Sequence, residues 1–388
     1  MARSQNAKDV SFTGKLNHVG ETIFSTINKL AAQHQALNLS QGFPDFDAHA
    51  DLVALVHQKM AAGHNQYAPM PGTPELRETL AQITQEDYGA TYSPQDEVTI
   101  TAGATQAIGT AIATSIREGD EVILISPAYD CYIPMIELNG GIPVTVKLVH
   151  PEYHIDWDQL KKLLNHRTRM IIINTPHNPT GSVWQKDDLD QLEQVVANSN
   201  IIVLADEVYE NIIYNGQEHH SIRTREALRK RSFVIGSLGK TLHVTGWKVG
   251  YVMAPPALTA EFRKVHQYLV FSVNTPVQLA LAEFLQQERH RRIGEFYQEK
   301  QALFLDSIAG SRFTPLSVNG GYFQILDYSA ITDEGDVKFA ERLITEHGIA
   351  SIPLSVFYRF PTDHKVLRFC FAKDDATLVE AGKILQSI

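Results

Sequence analysis

The sequence predicts an α/β protein. A large domain carries a mainly parallel, seven-stranded sheet covered by helices, and a smaller α+β domain follows it. Three observations lead there. Short unbroken apolar runs such as Val122-Ile123-Leu124-Ile125 and Met170-Ile171-Ile172-Ile173 lack polar alternation, as strands buried on both faces do. Helical patterns alternate with these runs, and parallel neighbours need such crossovers. The chain has 388 residues, more than one hydrophobic core ordinarily organises.

Seven strand segments follow in order: Val98–Thr101, Glu121–Ile125, Pro143–Lys147, Met170–Asn174, Ile201–Ala205, Ser232–Ile235 and Val249–Ala254. A helix from Thr105 to Arg117 follows the first, and an amphipathic helix near Asp156–Leu164 precedes the fourth. A third, Lys186–Ala197, presents Leu189, Leu192, Val195 and Val196 at helical spacing. Beyond Pro276 the pattern changes. A long helical region runs over Val277–Ile308, then Tyr322–Leu326 as strand, Val337–Glu346 as helix, Ile349–Ile352 and Val366–Cys370 as strands, and a final helix over Asp375–Gln386. The expected units are residues 51–285 as the large domain, 286–388 as the small one, and 1–50 as a segment joining the small domain.

Composition narrows the function. With 34 basic and 44 acidic residues the formal charge is −10, and no Lys/Arg block is present. Neither nucleic acid nor a membrane surface is expected as the partner. Two distant cysteines, Cys131 and Cys370, build no disulfide framework, and Cys131 reads as a small buried hydrophobe, so a reducing, cytoplasmic setting is expected. The stretch Met1–Lys15 is polar and lacks the apolar core of a secretion signal. No apolar run approaches the roughly 20 residues that span a bilayer.

In an open α/β sheet, ligands gather at the carboxyl ends of the strands. Four polar features fall there: the Ala102-Gly103-Ala104-Thr105 turn, Tyr129, Asn178 and Asp206. The small residues Gly103, Ala104 and Thr105 open a helix and let backbone N–H groups approach an anion, and Ser237 and Lys248 add a hydroxyl and a cation. Tyr129 suits stacking on a planar ring. Asn178 is flanked by Pro176 and Pro179, which stiffen its loop. Asp206 ends a buried strand and needs a cationic partner, and Tyr209 follows it. Glu207 points elsewhere in an extended segment. Lys240, in Ser237-Leu238-Gly239-Lys240-Thr241, supplies a lone amine. Amine, acid and phenol together suit a pyridinium cofactor, pyridoxal 5′-phosphate (PLP), held as a Schiff base, with the acid keeping the ring nitrogen protonated. Arg368, one charge in the alternating strand Val366–Phe371, is of the kind that holds a carboxylate through two nitrogens, and Gly42 would let a backbone N–H reach the same carboxylate. Read singly, the turn is equally a tight βα connection, Tyr129 a packing residue and Arg368 half of a salt bridge. Their convergence carries the reading.

Together the motifs Ser40-Gln41-Gly42-Phe43-Pro44-Asp45, Gln66-Tyr67-Ala68-Pro69, Asn174-Thr175-Pro176-His177-Asn178-Pro179, Ser237-Leu238-Gly239-Lys240 and Val265-His266-Gln267-Tyr268 resemble the class I, fold-type I PLP-dependent aminotransferases. The likeness is strongest to the bacterial methionine aminotransferase and kynurenine–glutamine transaminase branch. The resemblance implies that Lys240 bonds the cofactor covalently, Asp206 pairs with its ring nitrogen, Tyr209 and Asn178 bond its phenolic oxygen, and Tyr129 stacks on the ring. Ala104, Thr105, Ser237 and Lys248 would hold the phosphate. Gly42, Asn178 and Arg368 would bind the α-carboxylate of the substrate. Tyr67 would reach the neighbouring subunit's phosphate, making a homodimer with shared sites. Lys248 departs from the Arg that many relatives carry. The expected reaction is amino transfer from a large neutral amino acid, methionine or an aromatic one, to a 2-oxo acid. Phe24, Phe43, Tyr129 and Phe357 are expected as apolar walls. A β-lyase acting on cysteine conjugates or cystathionine is the rival reading. A non-catalytic PLP-sensing regulator would need a DNA-binding segment for which the short N-terminus leaves no room.

Overall fold

The computed structural model describes residues 13–17, 19–287, 293–360 and 362–388. Most of the polar stretch Met1–Lys15, and residues 288–292 within the expected helical region Val277–Ile308, lie outside it.

An extended pair of residues, β1 (Leu37–Asn38), precedes the main sheet. The sheet holds β2 (Val98–Thr101), β3 (Glu121–Ser126), β4 (Ile142–Val149), β5 (His154–Ile155), β6 (Thr168–Asn174), β7 (Ile202–Asp206), β8 (Ser232–Ser237) and β9 (Gly250–Met253), in the order β2-β9-β8-β7-β6-β3-β4-β5. The pairs β3–β4, β3–β6, β6–β7 and β7–β8 are parallel. Only β9, antiparallel to β2 and β8, and the two-residue edge strand β5 depart from that. The seven expected strands are therefore present, with β5 added at the edge, where it was too short to show a pattern. Val122, Ile123, Leu124, Met170, Ile171, Val203, Leu204 and Ala205 are fully buried, which is why these strands read as unbroken apolar runs.

A four-stranded antiparallel sheet follows, β10 (Thr314–Pro315), β11 (Phe323–Asp327), β13 (Ile352–Pro353) and β14 (Val366–Cys370), in the order β10-β11-β14-β13. The expected strand Ile349–Ile352 is two pieces. β12 (Ile349–Ala350) pairs in parallel with β1, and β13 pairs with β14. The chain changes sheets at the fully buried Ser351, a tertiary choice that an apolar run does not encode. β1 thus ties the N-terminal part of the chain to the segment that goes on to enter this sheet as β13. The expected region Val277–Ile308 resolves into helices Thr275–Leu285 and Ile293–Ser307. The first is capped by Asn274, whose side chain accepts from the Val277 N–H at 3.2 Å.

Candidate active site

Strands β2, β3, β6, β7 and β8 all bring their carboxyl ends to one side of the main sheet, and a cavity of about 270 Å³ opens there. Gly42, Gly103, Ala104, Thr105, Tyr129, Asn178, Asp206, Tyr209, Ser237, Lys240, Lys248 and Arg368 all line it, with Phe24, Phe43 and Phe323. Of the residues given a place in the site from the sequence, Tyr67 and the expected wall residue Phe357 are not in its lining. Tyr67 is 82% exposed and packs edge-on against Phe271 at 5.2 Å. Phe357 stands behind the wall, edge-on to Phe24 at 5.8 Å.

Asp206 ends β7, opposite Asn174 of β6 and Ile235 of β8. Its carboxylate accepts from the Tyr132 hydroxyl at 2.6 Å and from the Val208 N–H at 3.3 Å. Burial pushes this acid up to about 6, even with those two donors. A buried acid so raised is short of a positive partner. Glu207 faces away, accepting from Ser221 and from the Ile222 N–H and lying 3.3 Å from Arg223. Arg223 also donates to Glu210 at 2.8 Å. The turn after β7 is thus held from beneath by a buried ion cluster while Asp206 and Tyr209 line the cavity.

Lys240 lies on the short helix Leu238–Thr241, whose N-cap is Ser237. Its Nζ donates to the Gly42 carbonyl at 3.1 Å and to the Tyr322 hydroxyl at 2.6 Å. Burial, followed by the nearby Arg368 and Lys248 cations, lowers the amine to about 8. A lysine so poised is partly neutral near physiological pH and can act as nucleophile and base. Burial holds the Tyr129 and Tyr209 phenols well above their ordinary range, so both stay protonated.

Gly103 caps the helix Ala104–Ser115 with φ +82°, and a Cβ there would lie 3.2 Å from the Lys248 Nζ. A Cβ on Gly250 would come within 2.9 Å of the Ala104 nitrogen. Two glycines therefore let a helix N-terminus, a lysine and the Ser237 region converge on one side of the cavity. A helix N-terminus with a cation beside it favours an anion.

Across the cavity, Arg368 sits mid-strand on β14, paired with Ile325 and Ile352. It is 1% exposed. Nη1 donates to Asn178 Oδ1 at 2.7 Å and Nη2 to the Ser40 carbonyl at 3.3 Å, and Nε is buried with no partner. Its guanidinium lies 3.9 Å from the Phe323 ring centre. Burial lowers it to about 10, still charged at neutral pH. A guanidinium that lines a cavity has the chemistry to hold a carboxylate there. Asn178 is itself fixed, its N–H donating to Asn174 Oδ1 at 2.8 Å.

The sequence reading missed Tyr132, Tyr322 and Asn174. Tyr132 lies three residues beyond Tyr129, at the start of the helix Tyr132–Leu138, and Asn174 lies opposite Asp206; both fall in segments already singled out, but the partnership with Asp206 is fixed only by the fold. Tyr322 follows Gly320-Gly321; a glycine pair before an aromatic signals a close approach, but the partner is fixed only by the fold.

Residues 34–385 match the family of class I and II aminotransferases. The chain is 47% identical over 376 residues to the methionine aminotransferase of Escherichia coli K12, covering 96% of this chain and 97% of that one. It is 34% identical over 388 residues to human kynurenine–oxoglutarate transaminase 1, covering 90% and 92%. Among solved structures, an Escherichia coli protein whose reactivity identified a methionine aminotransferase function superposes with a TM-score of 0.96 at 46% identity, covering 98% of this chain and all of that one. Thermus thermophilus aspartate aminotransferase with maleate superposes with a TM-score of 0.89 at 26% identity, covering 97% and 99%.

Proposed function

Because the chain belongs to the class I and II aminotransferases, we propose that it moves the amino group of a large neutral L-amino acid, methionine foremost and aromatic ones also, to a 2-oxo acid in two half-reactions. The observation that carries this reading is the pairing in one cavity of a lysine amine lowered to about 8 with a buried arginine. Phe24 and Phe43 in the lining favour an apolar side chain. Among the described residues, the lining contains no cation other than Lys240, Lys248 and Arg368, so a second carboxylate on the substrate finds no partner among them.

The residues fit pyridoxal 5′-phosphate. Asp206 lacks a cation, and a protonated ring nitrogen would be one. Tyr129 offers a ring face, Tyr209 and Asn178 offer donors for a phenolic oxygen, and the Gly103 turn with Ala104, Thr105, Ser237 and Lys248 suits the phosphate. When bound, that cofactor supplies an electron-accepting ring for the charge left when the α-proton departs.

The chain's own groups do the rest. Arg368 binds the α-carboxylate through two nitrogens, with Asn178 and the Gly42 backbone alongside, and so presents the Cα–H to Lys240. The Lys240 amine takes that proton and returns it one position away; with a pKa of about 8, roughly a tenth of it is neutral at pH 7, enough to serve as base. Tyr132 and the Val208 N–H keep Asp206 aimed at the ring site. Apolar walls limit water at the reacting carbon.

We further read residues 51–285 as the cofactor-carrying domain and 286–388 with 1–50 as the second, with the substrate at their junction. Tyr67 and Tyr268 are 82% and 86% exposed, and Leu269 and Phe271 are exposed beside them. This patch supports a homodimer in which Tyr67 reaches the partner's phosphate. Among the described residues, no helix is long and apolar enough to cross a membrane. Two free cysteines suit the cytoplasm.

The test is rapid-mixing spectroscopy of the cofactor-loaded enzyme against a panel of amino acids. Methionine is expected to bleach the cofactor band with the highest second-order rate constant, aromatic amino acids next and aspartate far behind. Fastest bleaching by aspartate would overturn the substrate assignment. Release of ammonia and pyruvate from a cysteine conjugate, without any oxo-acid acceptor, would make elimination the main reaction.

A further inference from the structure

Tyr322 stands just before β11 and is completely buried, yet its hydroxyl is not idle. It donates to the Gly42 carbonyl at 2.6 Å and accepts from Lys240 Nζ at 2.6 Å. The same Gly42 carbonyl accepts from Lys240 Nζ at 3.1 Å. Amine, phenol and carbonyl therefore close a three-membered ring of hydrogen bonds. The phenol ring is gripped on three sides: Tyr209 edge-on at 5.2 Å, Phe323 at 4.9 Å and Tyr297 at 5.6 Å. That packing leaves the hydroxyl little freedom to look elsewhere.

We propose that Tyr322 is the positioning residue for the Lys240 amine. It fixes where the nitrogen stands, favours its charged form, and ties it to the segment that carries Gly42. The inference rests on Lys240 being the catalytic amine.

Direction follows from donors and acceptors. The ammonium form of Lys240 donates to two neutral oxygens, so both bonds favour it, with Cys370 and Asp206, against burial and the Arg368 and Lys248 cations. The Tyr322 hydroxyl donates to a carbonyl, which cannot take its proton, and the Tyr209 phenol it also meets is itself held protonated by burial. Burial also keeps the phenol protonated far above neutral pH. Tyr322 therefore does not relay a proton; it holds the base in place. The link also joins two parts of the site distant in sequence, because Gly42, Lys240 and Tyr322 belong to three separate segments. Motion of the Gly42 segment would pull on the amine directly.

Tyr322→Phe keeps the ring and removes only the oxygen. Its effect is read in the cofactor-free full-length chain, as the pH dependence of Lys240 labelling by trinitrobenzenesulfonate, followed by mass spectrometry of the peptide containing residue 240. In the wild type the midpoint is expected near 8. In Tyr322→Phe it falls by roughly one pH unit, the scale of one hydrogen bond to a charge. Tyr322→Met, which lacks the oxygen in another shape, shifts it in the same sense. In the loaded enzyme both variants lower kcat more than they raise KM for methionine. Midpoints unchanged in both variants overturn the inference. A merely structural tyrosine would lower thermal stability without moving the midpoint. A separate control, borohydride reduction of the cofactor-loaded wild type, tests the premise. If residue 240 carries no reduced cofactor, the catalytic reading itself fails, whatever the variants do.

Discussion

Arg368 Nη1 donates a 2.7 Å hydrogen bond to Asn178 Oδ1 across 190 residues of sequence. The bond joins β14 to the loop after β6 and orients the guanidinium before any substrate arrives. On the proposed reading, a guanidinium held in this way would spend little on ordering when it binds a carboxylate. The neighbouring Nε is buried with no hydrogen-bond partner.

Arg368→Lys keeps the charge but loses the planar fork and the Asn178 contact. KM for methionine is expected to rise, and kcat/KM to fall by about 100-fold, a loss of ~2.7 kcal/mol in transition-state binding. Steady-state kinetics over a range of methionine concentrations measures both. A change in kcat alone would argue against the carboxylate role.

Lys240→Ala should abolish turnover, lowering kcat by at least about 10³-fold. It should also stabilise the cofactor-free chain. The folded amine is lowered to about 8 against 10.5 in the unfolded chain, so the unfolded state binds the proton more tightly. Stability therefore rises with pH between those values, and below about 8 the full penalty stands. Removing the amine should add about 1–2 kcal/mol at pH 7, less than the whole shift because the cavity admits water. Urea unfolding of both proteins checks this.

Asp206 gives the opposite slope in the cofactor-free chain. Its folded value, about 6, exceeds the ordinary 3.8, so the folded state holds the proton more tightly and stability falls as pH rises from about 4 to 6. Asp206→Asn should flatten that part of the curve. A cationic ring nitrogen reverses the preference, so the rise in Tm on adding pyridoxal 5′-phosphate should be larger at pH 8 than at pH 5 in the wild type. Calorimetry with and without cofactor decides it; equal rises at both pH values would count against the pairing.

Gly250→Ala places a methyl 2.9 Å from both the Ala104 nitrogen and the Gly236 carbonyl. Backbone must shift at the helix N-terminus. A loss of about 1–3 kcal/mol is expected, with cofactor affinity at least roughly tenfold weaker, measured by fluorescence titration of the cofactor-free protein.

Arg223→Met removes the cation beneath the turn that carries Asp206 and Tyr209. It leaves Glu207, fully buried, and Glu210, nearly so, without their strongest partner. About 3–5 kcal/mol of stability should go. The double variant Glu207→Gln/Arg223→Met should recover part of it, which denaturant titration would show.

Much of the fold and site was legible because local chemistry imposed it. The runs from Val122 to Ile125 and Met170 to Ile173 announce strands covered on both faces, since solvent on either face would have required polar alternation. The final helix Asp375–Gln386 and the strand Val366–Cys370 coincide with their sequence expectations. Asp206, Asn178 and the Gly103 turn stand out because a strand's carboxyl end is where an α/β sheet leaves room. The split at Ser351 was not legible. Both halves are apolar, and which sheet each joins depends on partners more than a dozen residues away.

The sequence by itself determined the element types, the parallel sheet, and the set of polar residues at its carboxyl edge. Those follow from periodicity and from the cost of burying an unpaired charge, both of which act over a few residues. The tertiary structure alone decided that Tyr132 bonds Asp206, that Tyr322 joins Lys240 to Gly42, and that Arg368 meets Asn178. A hydrogen bond is directional and reaches about 3 Å, so such partnerships exist only once distant segments have been packed against one another.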